Sequence, residues 1–265
     1  MSRIVSWFSC GAASAVATKL AIQAANGREV VVAYCDTFKR EHPDNIRFFR
    51  DCEKWFGQEI LVLGNDKYER DPDVVFRSTR FLVGPRGARC TAELKRSVRL
   101  GFQRPDDVVI IGYTAEEYAK RHQQLVESEP LVNFWPILWE RGISKEDCYG
   151  IVSRAGIELP EMYKLGYRNN NCIGCVKGQA GYWNKIRVDF PERFAEMAAI
   201  ERELGRAICK REWTEDGVRH LERIPLDRLP PDLGNYGSEP DISCGIICQS
   251  ASLEIQDCDD ESEAA

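Results

Sequence analysis

The chain has 265 residues, 36 Lys and Arg against 42 Asp and Glu, a net charge of −6 and 43% hydrophobic residues, enough to bury a full core. No apolar run is long enough to span a bilayer and no signal-peptide pattern opens the chain, so a cytoplasmic protein with no membrane partner is expected. Eleven irregularly spaced cysteines in a reducing compartment point to metal, cluster or redox chemistry plus a few core thiols such as Cys35 and Cys52, rather than a disulfide framework.

In chain order, Ile4 to Phe8 reads as a buried strand, Ser9 to Ser14 as a tight loop of small residues, and the following residues as a helix that stops near Asn26-Gly27. Glu29 to Cys35 is the next strand, closing a strand-helix-strand unit whose first loop lies at the carboxyl edge of a parallel sheet. There the free amides of a helix start can cradle a phosphate; the alternative is an ordinary turn with Ser9 or Ser14 capping the helix. Asp44 to Phe56 is helical by its apolar spacing, Glu59 to Leu63 is a third strand, and Phe76 to Phe102 is largely helical, broken at Gly84-Pro85-Arg86-Gly87. Val108 to Ile111 is an all-apolar strand, Ala115 to Val126 a charged helix, Leu131 to Trp135 a fifth strand, and Ser144 with Asp147 a capping box opening Lys145 to Ala155. Five strands alternating with helices predict a doubly wound α/β fold around a five-stranded parallel sheet. Beyond Gly156 the pattern changes: Tyr167 to Tyr182 reads as an Asn-, Gly- and Cys-rich loop, and Pro191 to Leu204 as the last helix, stopped by Gly205.

Charge is unevenly placed. From Leu229 to Ala265 there are nine acids and no Lys or Arg, while Arg77 to Pro105 holds eight basic residues, among them Arg86, Arg89 and Lys95, against Glu93 alone. The basic stretch is expected either to meet an anionic substrate or to be a solvated helix face.

Cys172-Ile173-Gly174-Cys175 has the spacing that lets two sulfurs reach one centre, with Gly174 permitting the turn. Cys90, inside the basic stretch, is the expected third ligand, and Cys148, Cys209, Cys244 or Cys248 a fourth; a redox pair and an inert loop are the alternatives. Ser243-Cys244-Gly245 lies near the end of the chain, where Cys244 can act as a nucleophile or belong to a small metal clip. At the sheet edge, Asp36, Glu116 and Glu117 can hold magnesium or ribose hydroxyls, and Arg121 a phosphate; a solvated helix start with Glu117 paired to Arg121 is the alternative. His42, His122 and His220 lack ligand spacing and read as surface residues.

Taken together these motifs resemble the phosphoadenosine phosphosulfate reductase family of the PP-loop ATP pyrophosphatase superfamily, the adenine nucleotide alpha hydrolase-like proteins. The family's S-G-G-x-D-S is similar to Ser9-Cys10-Gly11-Ala12-Ala13-Ser14, its D-T-G to Asp36-Thr37-Phe38, and its C-T-x-x-L-K to Cys90 through Lys95. Gly112 to Arg121 resembles its G-x-R-x-x-E-S-x-x-R, Pro136-Ile137-Leu138-Trp139 its closing P-L or P-I element, and Gly166 to Cys175 its G-x-x-x-x-x-C-x-x-C end. The chain departs from the pattern at Cys10, Ala13 and Thr114, and its Ser243 and Ile247 replace the Glu and His of the reductase ending E-C-G-[LI]-H.

The resemblance implies a PP-loop nucleotide-binding domain over 1–165, a Cys-containing extension over 166–256 and an acidic disordered tail over 257–265. It implies ATP or a related adenine nucleotide on Ser9, Cys10, Gly11, Ala12, Ala13 and Ser14, with Asp36, Gly112, Glu117 and Arg121 around it and magnesium as a further cofactor. It also implies an iron–sulfur cluster of the 4Fe-4S kind, or zinc, on Cys90, Cys172 and Cys175. The implied reaction is reduction of a sulfonucleotide by Cys244 with a thiol electron donor. The alternatives are sulfur transfer to a base of tRNA or DNA, and a non-catalytic nucleic-acid-binding scaffold with structural zinc.

Overall fold

The computed structural model describes residues 2–84 and 87–242. Strand β1 (Ile4–Phe8) leads into α1 (Ala12–Gln23), followed by β2 (Val30–Cys35), α2 (Asn45–Phe56) and β3 (Leu61–Leu63). Helix α3 (Pro72–Thr79) precedes a small hairpin of β4 (Val83–Gly84) and β5 (Gly87–Ala88). From there α4 (Arg89–Thr91), a π-helical turn (Ala92–Arg96) and α5 (Ser97–Phe102) run on without a break. The alternation resumes with β6 (Val108–Ile111), α6 (Ala115–Ser128) and β7 (Asn133–Phe134), then the helices α7 (Ile137–Glu140), α8 (Lys145–Arg154) and α9 (Glu161–Lys164).

The central sheet has the order β3-β2-β1-β6-β7 with every pair parallel, as the alternation of strands and helices predicts. Strands β2 and β3 are laid down on one side of β1, and β6 and β7 on the other. The direction of winding therefore switches between β1 and β6, leaving a crevice at their carboxyl ends. Period-two alternation sorts β1 onto two cores: Ile4 and Phe8 pack into the core shared with α1 and α2, whereas Val5 and Trp7 join Ala33 and Val109 on the opposite face. Ser6 is buried among these and is satisfied by Thr18 of α1, at 2.8 Å. Cys35 and Cys52 are core thiols as expected.

Two elements differ from the sequence reading. The expected loop Tyr167 to Tyr182 ends early, because helix α10 (Ala180–Asp189) starts inside it and runs up to α11 (Pro191–Leu204). No local side chain caps α10; the Glu239 carboxylate, far along the chain, accepts from Gly181 N at 2.5 Å and Tyr182 N at 2.9 Å. The chain then forms an antiparallel ribbon, β8 (Cys209–Glu215) with β9 (Val218–Ile224), which the sequence reading missed. Its signal was Asp216-Gly217, both at positive φ, the turn a two-residue hairpin prefers. A second core under α10 and α11, centred on Trp183, Ile186 and Met197, joins these elements to Phe76 and Leu82. Among the described residues no helix is long and apolar enough to cross a membrane.

Candidate functional site

The loop after β1 is held from within. Ser14 Oγ accepts from Ser9 N and Ser9 Oγ, each at 3.1 Å, and donates to Gly11 O at 2.9 Å. Neither serine caps α1, correcting that alternative; Gly11 is the N-cap residue and makes no side-chain cap. Cys10 takes φ of +55°, the left-handed region that glycine enters most easily, and its thiol is fully buried in the core. Burial pushes that thiol well above its ordinary range, so Cys10 contributes its backbone to the loop and no thiolate.

Gly112, at the end of β6, faces this loop across the crevice. A Cβ there would lie 2.5 Å from both Ser14 N and Ser14 Cα, so only glycine allows the two backbones to approach so closely. Tyr163 of α9 closes the other side: its hydroxyl accepts from Ala12 N at 3.3 Å, and desolvation pushes the phenol up to about 12. Sequence reasoning missed this contact, which spans 151 residues of chain.

These elements border a cleft at the winding switch. Of the expected nucleotide residues, Ser9, Gly11, Ala13, Ser14, Gly112, Glu117 and Arg121 line it, while Cys10, Ala12 and Asp36 do not. Asp36 is engaged elsewhere, accepting from Phe38 N at 3.1 Å and pairing with Arg70 at 3.2 Å. Glu117 is the N3 residue of a capping box with Thr114, so the residue that replaces the family's Arg starts α6. The Arg121 guanidinium lies 5.5 Å from the centre of the Tyr113 ring. Glu41, Tyr34, Asn170 and Asp241, none of them marked by the sequence motifs, also line the cleft.

A second, small cavity adjoins the first and is lined by Cys90, Cys172 and Cys175 together with Pro72, Phe76 and Arg193. Cys172 and Lys95 line both cavities. Gly174 turns the Cys172 to Cys175 segment at φ of +70°. Ile173 N donates to Arg40 O at 2.7 Å, and Cys175 N donates to the Tyr182 hydroxyl at 2.9 Å. Nearby, Arg193 pairs with Asp73 at 2.7 Å and Arg40 with Asp71 at 2.8 Å.

Among the described residues no group of three or more His, Cys, Asp or Glu stands in a metal-holding arrangement. Cys148 and Cys209, expected as possible fourth ligands, are buried away from this cavity, and burial pushes each up to about 12. Cys244, Cys248 and Arg86 lie outside the described residues. Several members of the basic stretch pair within the protein. Arg77 meets Glu203 at 2.9 Å, Arg89 meets Glu93 at 2.8 Å, and the fully buried Arg99 meets Glu129 at 2.5 Å. Lys95, from the same stretch, lines both cavities.

The family model for the phosphoadenosine phosphosulfate reductase domain matches residues 3–179, from β1 through the Cys172 to Cys175 turn. The chain belongs to this family. No curated protein and no solved structure matches it. Membership makes the chain a PP-loop protein of a nucleotide-binding enzyme family, with the matched region containing both the Ser9 to Ser14 loop and the three cysteines of the second cavity.

Proposed function

We propose that the phosphoadenosine phosphosulfate reductase-family chain binds an adenine sulfonucleotide in the cleft and reduces its sulfur. The observation that carries this reading is that Cys172 and Lys95 line both the cleft at the Ser9 to Ser14 loop and the cysteine cavity beside it. A phosphate seated on the amides at the start of α1 would therefore hold its sulfonyl group near Lys95, with thiols beyond it. Asp241 and Ile242 line the same cleft, and Asn171 Nδ2 donates to Ile242 O at 3.0 Å. Cys244, which lies outside the described residues, follows Ile242 by two positions in the sequence.

In the proposed reaction the Cys244 thiolate attacks the sulfonyl sulfur. The sulfur–oxygen bond to the phosphate breaks, the nucleotide leaves with that electron pair, and an S-sulfonated cysteine remains. A dithiol donor then attacks Cys244 Sγ, expels sulfite, and closes to its own disulfide as Cys244 is released. Lys95 and the loop amides offset the charge on the departing phosphate.

Cys90, Cys172 and Cys175 line one cavity beside apolar Pro72 and Phe76 and are the soft donors an iron–sulfur cluster or zinc prefers, although as they stand they do not form a metal-holding arrangement. When bound, such a group would be held by these three cysteines and would supply Lewis-acid character to the cavity, its net charge offset by the thiolates. The loop does not suit magnesium: Ala13 stands where the family has Asp, Asp36 is tied to Arg70, and Glu117 caps α6. Reduction, which needs no cleavage of ATP, accordingly fits this loop better than ATP-dependent sulfur transfer to a nucleic-acid base.

The test is sulfite release from adenylyl sulfate or its 3′-phosphorylated form with a dithiol donor, using anaerobically purified protein whose iron, sulfide and zinc are quantified. Wild type should release sulfite and Cys244→Ser should not. Equal release by both proteins would overturn the role of Cys244. Nucleotide binding without any release, in protein holding zinc, would favour the non-catalytic scaffold.

A further inference from the structure

Asn170 is only 7% exposed, yet it lines the cleft. The orientation of its amide follows from a relay that begins at a carboxylate. Glu41, also 7% exposed, accepts from Thr37 Oγ1 at 2.6 Å and from Asn45 Nδ2 at 2.7 Å. A carboxylate accepts and does not donate, so Asn45 must turn its nitrogen to Glu41 and its oxygen the other way. Asn45 Oδ1 then accepts from Asn170 Nδ2 at 2.8 Å, and the same nitrogen donates to the carbonyl of Cys10 at 2.7 Å. Turning the Asn170 amide over would set its oxygen against two acceptors.

Both amide hydrogens of Asn170 are therefore used within the protein, and its Oδ1 is left buried without a hydrogen-bond partner among the described residues. A buried acceptor in this condition is unfavourable and uncommon. We infer that Asn170 Oδ1 determines specificity in the cleft by accepting a hydrogen bond from the nucleoside part of the ligand, either a ribose hydroxyl or the exocyclic amine of the base. Phosphate oxygens cannot serve this atom, because an ionised phosphate has only acceptors to offer. The relay thus separates the nucleoside end of the ligand from the phosphate end, which belongs to the amides of the loop. Cys10 O ties the two together: the left-handed residue of the loop anchors the amide that reads the nucleoside. The inference rests on the nucleotide-binding reading and adds to it the position and polarity of one contact.

Calorimetric titration with adenosine 5′-monophosphate, its 2′-deoxy and 3′-deoxy analogues, and purine riboside 5′-monophosphate tests it. Wild type should bind one of the three analogues roughly 10- to 100-fold more weakly than the parent nucleotide. Asn170→Ala should bind the parent with the affinity wild type shows for that analogue, and should no longer distinguish the two. Equal affinity of wild type for all four ligands would overturn the inference, as would discrimination that survives in Asn170→Ala. Asn170→Ser, which also removes the amide oxygen, replaces the alanine variant if that protein does not fold, and the wild-type series decides without either. No binding of adenosine 5′-monophosphate by folded wild type would instead refute the nucleotide reading itself.

Discussion

Gly112→Ala is the sharpest test of how the cleft is built. The added Cβ would sit 2.5 Å from Ser14 N and Ser14 Cα and 2.9 Å from Ala13 C, whereas ordinary contact begins at 3.4 Å. All three atoms are backbone within the first turn of α1, so no rotamer change can relieve the overlap. The end of β6 and the start of α1 must move apart by most of an ångström, against a tightly packed core that resists such shifts. Overpacking of this kind costs about 1–3 kcal/mol, which for a chain of this size lowers the melting temperature by roughly 2–12 °C. The displaced atoms belong to the proposed phosphate cradle, so adenine nucleotide affinity should fall as well. The measurements are urea denaturation and calorimetric titration, with Gly101→Ala as the control. Gly101 lies in α5 with nothing within 4 Å of its would-be Cβ, so alanine there should be neutral or stabilise by about 0.5–1 kcal/mol. If Gly112→Ala matched that control in both stability and nucleotide binding, the close approach would carry no energetic weight.

Glu129→Ala should destabilise by about 3–5 kcal/mol, because it strands the fully buried Arg99 guanidinium without its carboxylate. Glu127→Ala on the exposed face of α6 should stay within about 0.5 kcal/mol, and denaturation midpoints that do not separate the two would refute this. Glu201 is buried and accepts from Ile208 N at 2.6 Å and Leu226 N at 2.5 Å, yet desolvation raises it from 4.5 to about 7. Between those pH values the folded state binds more protons than the unfolded chain, so this group's contribution to stability is fully present below about 4.5 and is lost as pH rises to about 7. Glu201→Gln should remove that part of the slope, and a melting temperature that varies with pH as in wild type would count against the assignment.

Much of the nucleotide-binding half was legible because its signals are local. The apolar run Val108 to Ile111 can only be a strand buried on both faces, and Ser144 with Asp147 forms the expected capping box, closed at 2.9 Å from Ser144 N. Pro191 and Gly205 bound α11 as a first-turn proline and a left-handed stop should. The ribbon of β8 and β9 was not legible by apolar alternation, since nearly all of its side chains are exposed and charged residues occur on both of its faces. Helix α10 was hidden in a Gly-rich segment because its cap, Glu239, is supplied from 58 residues away.

The sequence by itself determined the five strands of the central sheet and the loop after β1, because periodicity and caps act within a few residues, and the family's motif order grouped Cys90, Cys172 and Cys175 as one candidate set. Only the tertiary structure decided which of those residues share a cavity, that Arg99 and Glu117 serve packing and capping, and that Asn170 is held against Cys10 O across 160 residues. Such contacts depend on burial and on the accounting of donors and acceptors over the whole fold, and neither quantity exists until the chain has closed on itself.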